Sequence, residues 1–408
     1  MGWFMQFLGG VYIIMPKISP FKILCAIGLL AIFSSTISKN PALPLLVTHI
    51  GGDQMAVGFI AGMSALTGIL FSFPAGYLSD RIGRYRMLLM SGCVFATAPF
   101  FYLFVTDVWQ IAIIRFYHGL ATAIFGPVAM ACVADLYQGS RGEKMGWFST
   151  ATLLGRFSAP ALGGIILAFS ATQDTYGFTT LYLVCGAAGL GALSAMVLLP
   201  KNNEDSPVPQ IKKNNEGLRK GIKTLVSDSG IMMTCGVEAA ILFSYGIFET
   251  FLPLRGLKIG LSTWEIGICI SSQIITIAVS KPVLGRFSDR HGRPLQIIWG
   301  TIIAGGCMLM LAFSFSFLTL LASSILLGVS ISIVTSASAA HIADLSKAGN
   351  HGAAMGMLGS IMDIGHTVGP IVGGVLAVSF SLTHSFLSGA AMLMISAFSF
   401  IYLHKTKI

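Results

Sequence analysis

Charge is what this chain has least of. Asp, Glu, Lys and Arg supply 10% of its 408 residues, against roughly 25% in soluble domains, which excludes an ordinary water-soluble protein. Long hydrophilic stretches are equally scarce: one, of about thirty residues, lies mid-chain. That leaves no room for the sizeable soluble domain of a receptor. The seven cysteines, Cys25, Cys93, Cys132, Cys185, Cys235, Cys269 and Cys307, stand singly in apolar runs, and no two are spaced to share a metal. They read as small buried hydrophobes. His-Glu-x-x-His, a nucleophile elbow and a phosphate-binding loop are all missing. The sequence therefore predicts no catalytic residues, no metal and no cofactor, and an intramembrane enzyme would lack its nucleophile. The formal charge of +9 sits in loops rather than on one face, which argues against a nucleic-acid partner.

What is present is apolar. Hydrophobic residues make up 54% of the chain and the mean hydropathy is +0.80, so its partner is a lipid bilayer. At about 20 residues per span plus short loops, the length allows around twelve helices. Six are predicted at 21–46, 54–75, 86–106, 109–136, 144–169 and 176–199, and six more at 230–254, 262–284, 294–314, 317–344, 352–379 and 384–403. The first fifteen residues are apolar, but no cationic segment precedes them and Pro16 ends the run before it could span. They read as neither signal nor helix. Between the two sets, Lys201 to Ser229 carries six Lys or Arg, four acids and two prolines, the composition of a solvated linker. The expected domains are a six-helix bundle over 1–199, a cytoplasmic linker over 200–229 and a second bundle over 230–408. Placing both termini in the cytoplasm puts twenty of the 25 Lys and Arg inside and only Arg255 and Lys258 outside, with Lys39, Arg115 and Arg156 within spans. The positive-inside rule excludes the opposite orientation and predicts a multi-pass protein of the plasma (inner) membrane.

One short stretch occurs twice. Gly76 to Arg86 reads Gly-Tyr-Leu-Ser-Asp-Arg-Ile-Gly-Arg-Tyr-Arg, and Gly285 to Leu295 repeats six of those eleven positions 209 residues later. A duplicated charged loop between spans is a transporter signal. These residues resemble the signature loop of the major facilitator superfamily, Gly-x-Leu-(Ala/Ser)-Asp-Arg-x-Gly-Arg-(Arg/Lys), from which only Tyr85 departs in the first copy. Arg115-Phe-Tyr-His-Gly119 is similar to the family's fourth-helix Arg-x-x-Gln-Gly, with His118 replacing Gln. Gly146, Gly155, Pro160, Gly163 and Gly164 look like its fifth-helix antiporter motif, with Ala159 in place of a glycine. Gly356, Gly365, Gly369, Pro370, Gly373 and Gly374 repeat that pattern in the second half.

The resemblance implies an all-α membrane fold of twelve helices in two pseudo-symmetric six-helix bundles. It also implies a monomeric secondary transporter with proton antiport and export of small amphiphilic molecules, as in multidrug efflux. Proton-driven uptake of a small metabolite or organic anion is the alternative. Under this resemblance Gly76, Asp80, Arg81, Gly83 and Arg84, with Asp135 and the second copy Gly285, Asp289, Arg290, Gly292 and Arg293, form a conformational latch. Gly76 and Gly285 let helix ends approach closely, and Asp135 pairs with a loop arginine.

Ionisable groups inside spans are costly, by at least about 2.5 to 3.5 kcal/mol at the centre, so each is a functional candidate. Arg115 lies about 10 Å into its span, and Arg156 and Asp363 lie roughly 18 Å into theirs. Glu238, about a third of the way along the seventh span, is the best-placed carboxylate for a proton. Together with His118 these residues are the expected substrate and proton-coupling groups. Glu249, near an outer end, reads as a solvated boundary residue, and Lys39 as a cation reaching for the outer surface. The acid that many multidrug exporters carry in helix one is missing, since no Asp or Glu lies between Lys22 and His49. That argues against a strictly cationic substrate, and the cationic residues of the first half suggest one that is neutral, zwitterionic or anionic, or a lipid-like amphiphile.

Overall fold

The structure is a computed structural model describing residues 3–8, 11–16, 19–169, 174–199, 227–346 and 351–405. Of the expected linker, only 227–229 fall among the described residues. The side chains of Asp289 and Arg290 also lie outside them. A two-stranded antiparallel hairpin, Trp3–Leu8 with Val11–Pro16, opens the chain. Twelve helices long and apolar enough to cross a membrane follow among the described residues. The first six are Pro20–His49, Gln54–Ile82, Arg84–Phe104, Val108–Leu136, Glu143–Phe169 and Gly177–Val197. The second six are Ser229–Lys258, Thr263–Ser288, Arg293–Ala312, Phe317–Leu345, Ala354–Ser379 and Leu382–Leu403.

Local chemistry sets where spans begin. Asp53 accepts the Ala56 N–H at 2.8 Å at the head of the second span, and Asp107 accepts that of Trp109 at 2.8 Å at the head of the fourth. Ser262 and Glu265 form a capping box at the eighth, and Asp228 caps the seventh. Each satisfies backbone donors that a helix start leaves orphaned.

The signature loop differs from its expected form. The charged stretch is helical as far as Ile82, and the turn is the single residue Gly83, at φ +96°. Gly292 repeats it at φ +89°, a backbone region that essentially only glycine enters without strain. Asp80 and Arg84 can then pair across the turn.

Packing repeats between halves. The first span packs on the fifth and sixth, the second on the fourth, and the third on the fourth and sixth. The seventh packs on the eleventh and twelfth, the eighth on the tenth, and the ninth on the tenth and twelfth. Two helix pairs join the halves most extensively, second with eleventh and fifth with eighth.

Among the described residues, the halves pack together at one end. A single apolar cluster joins both, with Leu43 and Val57 from the first half meeting Ile247, Phe251 and Ile270 of the second there. Gly58 lies so close under the Pro370 carbonyl, and Gly164 under that of Thr263, that a Cβ at either would collide with backbone. At the end carrying the signature loops the core divides. Leu24, Phe95, Phe125 and Phe148 cluster within the first half, and Ile231, Ile342 and Leu358 within the second. The close approach expected at Gly76 and Gly285 is missing here, because the halves stand apart at this end. A Cβ on Gly285 would meet nothing within 4 Å, and one on Gly76 would meet only Pro127, of its own half, at 3.9 Å.

Candidate functional site

At the open end, every signature-loop ion pair among the described residues is internal to its half. Arg84 donates to Asp80 at 2.6 Å and to Asp135 at 3.2 Å, and also to the Ser79 hydroxyl. In the second half Arg293 pairs with Asp344 at 2.6 Å. Arg293 and Asp344 stand 209 residues beyond Arg84 and Asp135, so the duplication extends to the ion pair. Asp344 was not singled out from sequence, although that offset points to it. Arg81 lies over the Tyr77 ring at 4.6 Å, a cation–π contact on its own helix.

The expected coupling residues fall in three places. Arg115 and His118 are enclosed in the first bundle. Arg115, 3% exposed, donates to Ser38 Oγ at 3.3 Å while its Nε has no partner. His118 is wedged between Phe95 and Tyr102, both ring nitrogens unbonded. Tyr102 stacks on Tyr182 at 4.4 Å beside them. Glu238, 1% exposed, sits within the second bundle. Neither of its oxygens makes a well-formed hydrogen bond; Ser338 and Lys281 are the groups that act on it. The third place is the centre, where exposed Arg156 and half-buried Asp363 lie. Arg156 is within electrostatic reach of Lys39 and Tyr245, and Asp363 within reach of His366.

Here two readings are corrected. Glu249 is 7% exposed rather than solvated, and Lys39 turns inward to it. The Lys39 ammonium donates to Glu249 Oε2 at 2.5 Å and the Asn40 amide to Oε1 at 2.5 Å. His366 Nε2 lies 3.2 Å from Oε2, its ring stacked on Tyr245 at 5.6 Å. Consecutive residues of a regular helix point about 100° apart and do not share a partner. The first span is interrupted between its segments Pro20–Ile37 and Ala42–His49, and that break brings Lys39 and Asn40 onto one carboxylate. A signal for the pair existed: Glu249 stands 210 residues beyond Lys39, and His366 210 beyond Arg156. Lys39 and Glu249 are thus related by pseudo-symmetry yet opposite in charge, and His366 stands at the position equivalent to Arg156.

The glycine pattern builds helix crossings. A Cβ on Gly155 would strike the Leu29 carbonyl of the first span, and one on Gly365 or Gly369 the Ala239 or Phe243 carbonyl of the seventh. Gly163, Gly373 and Gly374 are similarly confined, by Ile37, Phe251 and the Gln54 carbonyl, whereas nothing crowds Gly146. Pro160 carries the carbonyl against which Gly267 of the eighth span packs. Small residues at such crossings let membrane helices approach closely.

The family model of the Major Facilitator Superfamily matches residues 24–271 and 234–407. The chain belongs to this superfamily. It is a multi-pass membrane transporter of small molecules rather than an enzyme. Among characterised and uncharacterised relatives, it is 27% identical over 349 residues to the uncharacterized MFS-type transporter MJ1560 of Methanocaldococcus jannaschii, covering 83% of this chain and 86% of that one. It is 24% identical over 342 residues to multidrug resistance protein 1 of Bacillus subtilis, covering 82% and 84%. In fold it is similar to a bacterial homologue of the human lysosomal transporter Spinster, in inward-facing and unoccupied conformation. The TM-score is 0.80 at 15% identity, covering 94% of this chain and 96% of that one. The nucleoside transporter NupG gives 0.82 at 12%, covering 94% and 99%.

Proposed function

We propose that this chain is a proton-coupled exporter of small amphiphilic molecules, working as a monomer by alternating access in the plasma (inner) membrane with both termini cytoplasmic. The observation that carries the reading is the fifth-span glycine pattern, which recurs in the eleventh span and in both places lies against a neighbouring backbone. Resemblance to multidrug resistance proteins supports the direction. In this orientation the signature loops are inside, the sealed end is outside, and the conformation described is open to the cytoplasm.

The two bundles rock about the second–eleventh and fifth–eighth crossings. Asp80, Arg81 and the second-half loop around Asp289 and Arg290 form the latch that closes the inner end in the alternate state. Asp80 is half-exposed in this conformation. Arg156 meets the substrate from the open centre, while Arg115 and His118 support the first bundle from within. Glu238 and Asp363 are candidate carboxylates for proton exchange. Cations on the first-half side favour a neutral, zwitterionic or anionic amphiphile.

The test is direction. Reconstituted in inside-out vesicles with an inward-acid gradient, the protein is expected to accumulate amphiphilic dyes against their gradient. Accumulation in right-side-out vesicles under an inward proton gradient would instead assign uptake.

A further inference from the structure

The Lys39–Glu249 bridge is the one cross-half charge cluster among the described residues whose geometry is complete. It lies at the sealed end, ties the first span to the seventh, and recruits Asn40 beside Lys39 and His366 from the eleventh span. Opening that end requires the first and seventh spans to part. Once they part, Lys39 and Glu249 lose each other, and a carboxylate can be neutralised by taking a proton where an ammonium stays charged. Whatever protonates Glu249 therefore favours the open form, and sealing the end favours losing that proton.

We propose that Glu249 is the carboxylate through which protons act on this transporter: ionised, it seals the outer end against Lys39 and Asn40; protonated, it lets that end open. The proton is taken from water entering the opened end onto a Glu249 oxygen, and Lys39 keeps its charge and is hydrated. On resealing, Glu249 gives the proton up towards the cytoplasmic opening, and Lys39 pairs again. The inference rests on the transport reading above, and it places the coupling proton on a residue outside the expected set.

The surroundings are consistent with a site built for this pair. Facing the cluster are Lys39 from the first span, with Arg115 of the fourth and Arg156 of the fifth acting on Lys39, His366 from the eleventh, and Tyr245 on Glu249's own helix. The second span carries no acid, amine, guanidine or imidazole between Gln54 and Ser79. Of the other ionisable groups on spans packed against the seventh, Asp363 of the eleventh acts on His366 within the cluster, and His341 of the tenth lies edge-on to Phe400. Lys281 acts on Glu238, Glu265 caps its own helix at Ser262, Asp344 pairs with Arg293, and His384 bonds Ser381.

Pulsed electron paramagnetic resonance tests it. Spin labels at Trp109→Cys and Phe315→Cys, exposed positions in opposite halves at the sealed end, are introduced into full-length protein cleared of native cysteines, in nanodiscs at a series of pH values. The expected result is that the ratio of separated to sealed populations rises as pH falls, approaching tenfold per pH unit, the slope one proton imposes. In Glu249→Gln the separated population is large and flat with pH. In Lys39→Gln, which keeps the carboxylate but removes its partner, the slope vanishes or reverses. A flat wild-type profile, or an unchanged slope in either variant, would overturn the proposal. The readout needs no substrate, so its failure is separable from that of the export reading: a slope without dye export in vesicles keeps the switch and removes the exporter, and export without a slope does the reverse.

Discussion

The two ends of this molecule are held by different physics. At the sealed end the halves share an apolar cluster, backbone-to-glycine contacts and one largely buried bridge. At the loop end the described ion pairs all close within their own half and stand partly exposed. Contacts at the first end define this conformation, and those at the second prepare another. The difference teaches that a change at the sealed end alters the balance of states directly. A change at the loop end is felt only when the halves swing together there.

The largest effect should come from breaking the seal. Gly58→Leu forces a side chain into the Pro370 carbonyl, and overpacking of that kind costs about 1–3 kcal/mol. Transport initial rates in proteoliposomes should fall by about tenfold or more, and a near-normal rate would mean the crossing is not part of the cycle. Next comes Asp80→Asn at the loop end. The exposed Asp80–Arg84 pair contributes at most about 1 kcal/mol to folding, so expression and melting temperature should stay near wild type. Transport should nevertheless be mostly lost, because the latch is needed in the alternate state, closed at the inner end. Unaltered transport would reduce the loop to a topology signal.

A smaller, qualitative effect is expected from Glu238→Gln. An amide fits where the carboxylate has no well-formed hydrogen bond, so substrate should still move while a pH-sensitive dye reports weakened proton counterflow if Glu238 exchanges protons. Full counterflow would leave that role to Asp363 or Glu249. The smallest effect is Asp344→Asn, which removes one partner of an exposed pair and should shift thermal stability by less than about 1 kcal/mol. A larger loss would show that the second-half loop is more tightly coupled than its exposure indicates.

Much of the fold was legible because spans are apolar runs and the loop is duplicated. The sequence also placed Arg156 and Asp363 near mid-depth, where the centre lies. Depth along a helix follows from counting residues; direction around it does not. Arg115 was therefore expected at the central cavity and instead lies inside its own bundle, at 3% exposure. The helix running through Asp80 to Ile82 was hidden because a charged stretch between apolar runs looks like a loop, whereas one glycine makes the turn. Lys39 and Glu249 were misjudged because each was weighed alone, near an outer boundary where water is the usual partner. Their relation becomes visible only when the duplication offset is applied to charges as well as to motifs.

The interruption in the first span has a consequence for how the transporter switches in time. Two consecutive residues hold opposite oxygens of one carboxylate, so neither can withdraw far while the other remains attached. Release from Glu249 is therefore expected to break both contacts together. Such a closure behaves as a catch with a single activation barrier, and the waiting time between sealed and open forms should follow one exponential.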